Sequence, residues 1–182
     1  MTRDEGEEGR RARWLMERVH LGEWEHAAAA LGAEREAIAA YRRLAASSPG
    51  RYLPELADAL INLGVTLSEL GRPGEALDAE REAVSVYRRL AAASPGRYLA
   101  DLAEVLVDLG TTLTGRGLAV EALPLAVEAV TIRRELAAAS PERHRAGLAQ
   151  AQDCLSAVLA AIGRPAGSRP AGGRQGDGHP GP

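Results

Sequence analysis

An internal repeat constrains this chain more than any other feature. Residues 34–53 read EREAIAAYRRLAASSPGRYL and residues 80–99 read EREAVSVYRRLAAASPGRYL, identical at sixteen of twenty positions at an offset of 46. A more divergent third copy, EAVTIRRELAAASPERH, spans Glu128 to His144 at the same offset. Glu36, Glu82 and Glu128 therefore correspond, as do Pro49, Pro95 and Pro141. The intervening stretches repeat as well. Leu56, Leu60, Leu63, Gly64 and Leu67 match Leu102, Leu106, Leu109, Gly110 and Leu113, and Gly71, Glu75 and Ala76 match Gly117, Glu121 and Ala122. No gap is needed, so each copy is the same supersecondary unit, stacked on its neighbour.

Leu56, Leu60, Leu63 and Leu67 are spaced by four, three and four, the signature of one helix face. Pro54 fits the first turn of this helix A, where a missing N–H costs nothing. Gly71 is the C′ residue that tolerates positive φ, and Pro73 opens a second helix. Helix B carries Ala76, Ala83, Val86, Tyr87 and Leu90 and ends near Ser94, because Pro95-Gly96 follows. One repeat is thus helix A, tight turn, helix B and a loop of several residues. Gly64 and Gly110 lie inside helix A, where glycine costs about 1 kcal/mol relative to alanine. Close approach of helix B, at Ala76 and Ala83, is the expected compensation.

Composition agrees with an all-α chain. Its 46% apolar content is mostly alanine and leucine, with 3% aromatics, no phenylalanine and no lysine. Alanine, leucine, arginine and glutamate are strong helix formers. No stretch alternates as a strand does. A single cysteine, Cys154, excludes a disulfide scaffold and a cysteine-rich zinc site. A net charge of −3 is not that of a strongly basic nucleic-acid binder. No apolar run is long enough to span a membrane, and the opening MTRDEGEEGRRAR has no apolar core of a signal peptide. The expectation is a cytoplasmic protein. All-arginine basic residues with abundant alanine point to a GC-rich genome.

A helix–turn–helix unit with Leu-Gly in helix A and paired alanines in helix B resembles the tetratricopeptide repeat. Leu60 falls at that family's large first position, Leu63-Gly64 on its Leu-Gly pair and Leu67 where tyrosine is usual. Ala76 and Ala83 fall on its two alanines. The next copy places Leu106, Leu109, Gly110, Leu113, Ala122 and Ala129 in the same roles, and an earlier one Trp14, Leu21, Ala30 and Ala37. There Glu17 and Arg18 stand where Leu-Gly is expected, as in an eroded terminal unit. The family's unit is about 34 residues, and the extra residues here lie after the second alanine, in an extended helix B and a longer loop. Long helix pairs of this kind resemble the kinesin-light-chain type and the alanine-rich repeats of actinobacterial regulators.

The resemblance implies a right-handed superhelical α-solenoid of antiparallel helix pairs. Repeats over 9–50, 51–96 and 97–142 and a capping helix over 143–163 make up a domain over 9–163. A charged, flexible segment precedes it over 1–8. The segment 164–182, rich in glycine, proline and arginine, has no large apolar residue and reads as disordered.

Little in the chain reads as chemistry. His20 and His26 are six residues apart and share no helix face; His144 stands where Tyr52 and Tyr98 stand in earlier copies; His179 lies in the tail. Cys154 replaces Asn62 and Asp108, with no nearby cation to activate a thiol, and reads as an inert small side chain. The glycines mark turns, and without lysine no phosphate-binding GxxxxGK[ST] loop exists. Glu75 and Glu121 sit in first turns, where carboxylates favour the helix dipole. No cofactor, metal or enzymatic activity is expected.

The resemblance implies instead a scaffold that binds a protein or peptide in its concave face, lined by helix A. Carried onto this chain, the lining positions are Asp58, Ile61, Asn62, Val65 and Glu69, then Glu104, Val107, Asp108, Thr111 and Thr114, then Gln150, Asp153 and Ala157. Lysine or arginine clamps for a terminal carboxylate are missing from these positions. Acids interleaved with Ile61, Val65 and Val107 favour a basic or neutral segment with apolar anchors; the same acids serve equally as a solvated face. Arg42, Arg43, Arg88, Arg89 and Arg134 recur on helix B and read as a solvated face with local Glu–Arg pairing. A sensory or regulatory module of a bacterial signalling system, responding to a peptide or effector subunit, is the alternative reading. Irregular end units leave self-association open.

Overall fold

A computed structural model describes residues 6–13 and 27–163. All its regular structure is helical. Residues 6–13 form a helical stretch, α1. Six long helices follow: α2 (Ala27–Ser47), α3 (Pro49–Glu69), α4 (Pro73–Ala93), α5 (Pro95–Gly115), α6 (Ala119–Ala139) and α7 (Pro141–Ile162). From α2 onward each helix packs on the next, and α5 also packs on α7. The result is an all-α solenoid of repeats in which α3, α5 and α7 are helices A and α2, α4 and α6 are helices B. Trp14, Glu17, Arg18, His20, Leu21, His26, His179 and the tail 164–182 lie outside the described residues.

Helix A begins five residues earlier than the leucine spacing predicts. Pro49, not Pro54, is its first residue, and Pro54 sits inside the helix. The equivalent helices begin at Pro95 and Pro141. The loop of several residues expected after helix B is absent: α2 and α3, α4 and α5, and α6 and α7 are each separated by one serine. Ser48, Ser94 and Ser140 have φ between −136° and −149° and ψ between 67° and 80°. A residue before proline is pushed out of the α region by the ring. One such residue breaks the helix, and proline at once pre-sets the next. Ser48 still donates its N–H to Leu44 O at 2.8 Å, and its carbonyl accepts from Arg51 and Tyr52 N–H at 3.2 Å each. The residues beyond the usual family length therefore extend both helices. The other junction follows the sequence reading: Gly71 and Gly117 have φ of +67° and +77°.

The core is a continuous stack of leucine and alanine. Leu60 and Leu106 are fully buried, as are Ala122, Ala126 and Ala129 of α6. Each fully buried leucine contributes about 1.5–3 kcal/mol of apolar transfer. Tyr52 and Tyr98 are buried early in their helices, with Arg51 and Arg97 over their rings at 5.1 and 4.9 Å.

Successive helices B are joined by a ladder of ion pairs. Arg35 bonds Glu75 and Arg42 bonds Glu82, both at 2.5 Å, while Arg81 bonds Glu121 at 2.8 Å and Arg88 bonds Glu128 at 2.6 Å. All four pairs span forty residues. Of the recurring arginines, Arg42 and Arg88 thus bridge repeats where local pairing was expected. Arg43 reaches Glu8 of α1. Glu75 also accepts from Arg72, which lowers its pKa most, with Arg35 adding to the effect. Exposed pairs of this kind contribute about 0.2–1 kcal/mol each, so the ladder sets repeat geometry more than stability.

Candidate functional site

The helices A line one face of the solenoid, and the spacing between them differs along it. α7 packs directly on α5, whereas α3 and α5 are parted by a cleft of about 340 Å³. Its walls are Ile61, Val65, Ser68 and Glu69 of α3 and Val105, Asp108 and Leu109 of α5; Glu80 and Ala83 of α4 form its floor. Ile61 and Val65 are 36% and 55% exposed.

The repeat explains the difference. Glu80, Val105 and Asp108 correspond to Ala126, Ala151 and Cys154 at the next junction. Three smaller side chains let α7 settle onto α5, while three larger or charged ones hold α3 and α5 apart. Glu80 stays beneath the cleft because it is partly satisfied: Thr112 bonds its carboxylate, and its Oε2 is buried without a hydrogen-bond partner. The same pairing occurs one repeat earlier, where Thr66 Oγ1 donates to Glu34 Oε1 at 2.8 Å. At the last junction Ala126 and Val158 replace both polar groups, and both are fully buried.

Tyr87 lies one turn along α4 from Ala83. Its hydroxyl donates to Asp58 Oδ1 at 3.3 Å. Burial, then the neighbouring Asp58 and Asp101 charges, push its pKa upward. Asp58, Glu80 and Asp108 are all raised above the ordinary carboxylate range. Burial is the main cause in each, with Asp101 adding at Asp58, Asp108 at Glu80 and Glu104 at Asp108. The face concentrates negative charge that water solvates incompletely.

A second, shallower cleft of about 550 Å³ follows between α5 and α7, lined by Val107, Asp108, Thr111, Thr112, Gln150, Asp153, Cys154 and Ala157. The two clefts share Asp108. Of the positions expected to line the concave face, Ile61, Val65, Glu69 and Asp108 meet in the first cleft and Val107, Asp108, Thr111, Gln150, Asp153 and Ala157 in the second. Asp58, Asn62, Glu104 and Thr114 line neither; Thr114 turns its hydroxyl back to Gly110 O at 2.7 Å. Val107 is only 4% exposed, so it is a core residue that borders the cleft and not an exposed anchor. Being flanked by Leu106 and Asp108, it reads from sequence like Ile61, but α7 covers it.

Glu80, Gly64, Ser68, Ala83, Val105 and Leu109 complete the first cleft and are absent from the expected lining positions. For Glu80 and Ala83 the reason is that they belong to helix B. A signal existed: Glu34 with Thr66 and Glu80 with Thr112 recur at one separation in the repeat.

Cys154 is buried, with Sγ 3.7 Å from Val107 O and 3.8 Å from Thr111 Oγ1. Burial raises its pKa, with Asp108 adding to the shift against the lowering Thr111 contact, which keeps the thiol protonated. His144 is half-buried at the start of α7. Among the described residues no group of His, Cys, Asp or Glu is arranged to hold a metal ion, and no helix is long and apolar enough to cross a membrane.

Antiparallel helix pairs that repeat at a fixed period, stacked with one face of helices A left open, define a helical-repeat protein. Residues 56–93 and 102–142 match the family model of the Tetratricopeptide repeat, which covers α3–α4 from Leu56 and α5–α6 from Leu102. The chain thus carries tetratricopeptide repeats over these two helix pairs. No curated protein matches the chain.

Proposed function

We propose that the chain is a non-enzymatic scaffold that takes a protein segment along the face formed by α3, α5 and α7. Tetratricopeptide repeats point to protein–protein interaction as the general role. The observation that carries the finer reading is the α3–α5 cleft, whose walls include the exposed aliphatics Ile61 and Val65. Its charged lining residues, Glu69, Glu80 and Asp108, are all acids. A segment with a Leu, Ile or Val anchor beside an arginine or lysine matches both features. The apolar anchor removes Ile61 and Val65 from water, and the cation offsets poorly solvated carboxylates.

The test is selection of a random peptide library displayed on phage against the intact chain, followed by affinity measurement on synthetic hits. Hits are expected to pair a basic residue with an aliphatic one. Asp108→Arg and Val65→Glu should each weaken them at least about tenfold, roughly 1.4 kcal/mol. Glu104→Arg, outside both clefts, should change affinity far less. Hits of no particular charge that bind the Asp108→Arg chain undiminished refute the reading.

A further inference from the structure

One repeat position changes character at α6. Tyr41 of α2 and Tyr87 of α4 correspond there to Arg133. Each tyrosine lies beneath the helix A face beside carboxylates: Glu55 and Asp58 at Tyr41, Asp58 and Asp101 at Tyr87. Glu55 and Asp101 in turn correspond to Gly147 of α7. The acid is thus lost at the repeat where the neighbouring phenol becomes a cation. The two changes fit together in space. A Cβ on Gly147 would lie 2.8 Å from Nη1 of Arg133 and 2.9 Å from its Cζ, so glycine is what leaves the guanidinium its room.

Arg133 is only 8% exposed. Among the described residues it makes no ion pair, and its Nε is buried without a hydrogen-bond partner, while its Nη atoms keep some contact with solvent. Glu104 stands where Asp58 accepts from Tyr87, but it is exposed and forms no pair with Arg133. A buried guanidinium ordinarily has a carboxylate against it, because an unpaired buried charge is costly. Here the repeat removes that carboxylate. Arg143, one turn before Gly147 on the same side of α7, adds a second, exposed cation. This end of the face therefore offers cations where the α3–α5 cleft offers acids.

We propose that Arg133 receives an aspartate or glutamate side chain of the bound segment between α5 and α7, an inference that rests on a segment lying along this face. α7 packs directly on α5, so a side chain can enter between them where a chain end, with its backbone, cannot. One carboxylate matches the two Nη atoms of the guanidinium as a bidentate pair. The site lies one helix spacing from the α3–α5 cleft, about 10 Å, and one helical turn along it, about 6 Å. An extended segment covers that separation in about three or four residues. The ligand therefore carries its acid about three or four residues from the aliphatic anchor and the base beside that anchor.

The displayed-peptide selection, run in parallel on the full wild-type chain and on Arg133→Met, tests this. Wild-type hits should be enriched in Asp or Glu at that spacing. Arg133→Met hits should keep the basic–aliphatic pair and lose the acid. In a synthetic wild-type hit, changing the acid to its amide should weaken binding about tenfold to the wild-type chain and under about twofold to Arg133→Met. Gly147→Asp, which restores the carboxylate of Asp101, should engage the guanidinium and remove the preference in the same way. Urea unfolding separates this role from a structural one. Arg133→Met should leave the free chain at least as stable as wild type, because it removes an unpaired buried charge and keeps an apolar stem in place. Acid-bearing hits without the basic–aliphatic pair uphold this site and refute only the cleft. Hits with no acid preference, a preference that survives Arg133→Met, or a urea midpoint lowered by Arg133→Met overturns the proposal.

Discussion

Gly64 and Gly110 occupy one repeat position, yet the structure predicts opposite responses to a methyl group. A Cβ on Gly64 would meet Glu80 Cγ at 3.5 Å and Ala76 O at 3.7 Å, ordinary van der Waals distances. A Cβ on Gly110 would meet Cys154 Sγ at 3.2 Å, so the thiol or α7 must give way. Both changes gain about 1 kcal/mol of helix propensity. For Gly64→Ala nothing opposes the gain, and stability should rise by about 1 kcal/mol, roughly 2–4 °C for a chain of this size. For Gly110→Ala the gain is set against overpacking of about 1–3 kcal/mol, giving a net effect between zero and a loss of roughly 2. Cys154→Ala vacates the contested space. The Gly110→Ala/Cys154→Ala pair should therefore show a coupling of about 1–2 kcal/mol in a double-mutant cycle. Urea unfolding of the full chain followed by far-UV circular dichroism, on the wild type and these variants, gives every number required. Equal stabilisation by Gly64→Ala and Gly110→Ala, or no coupling to Cys154, refutes the packing argument.

Two further outcomes are expected. Arg88→Glu should lower stability by under about 1 kcal/mol, Glu128→Arg in the same chain should restore it, and the loss should shrink in about 1 M salt, where exposed pairs are screened; a urea midpoint series reads all three. Burial holds the Glu80 carboxyl above its ordinary range, so the folded chain binds that proton more tightly than the unfolded chain. Stability from this group therefore falls as pH rises through the window from the ordinary carboxylate range up to the raised value, and stays lower at neutral pH. Glu80→Gln should raise the urea midpoint at neutral pH and converge with wild type in acid; a midpoint lowered at neutral pH contradicts the assignment.

The A/B helix pairs were readable because their cause is local. Leu56, Leu60, Leu63 and Leu67 mark one face of a helix, and Gly71 and Pro73 punctuate it whatever surrounds them. The misplaced start of helix A shows the limit. Pro54 and Pro49 both satisfy the rules for a first turn, and only the packing of Tyr52 and Leu53 into the core shows that the helix already runs through them. The Ser-Pro junctions read as loops because proline and glycine ordinarily mark them, whereas one non-helical serine is enough when the next helix begins at the proline. Of the candidate cleft, Ile61, Val65, Glu69 and Asp108 were legible, since the family resemblance implies a concave face lined by helix A and carries those positions onto this chain. Glu80 and Ala83 were not, since they reach the cleft from the other helix of the pair.

By itself the sequence determined the unit, its period, its helical content and its family resemblance, because propensity, periodicity and turn chemistry act over a few residues and repeat when the residues repeat. Only the tertiary structure decided how alike the copies are in use. Arg42 and Glu82 are forty residues apart and become partners only when two helices B lie side by side. Gly64 and Gly110 are equivalent in the repeat and pack against different elements. Val107 and Ile61 read alike, and one is covered because Ala126, Ala151 and Cys154 let α7 close onto α5. Contacts between repeats depend on the summed size of side chains from three helices, a quantity no single stretch of sequence contains.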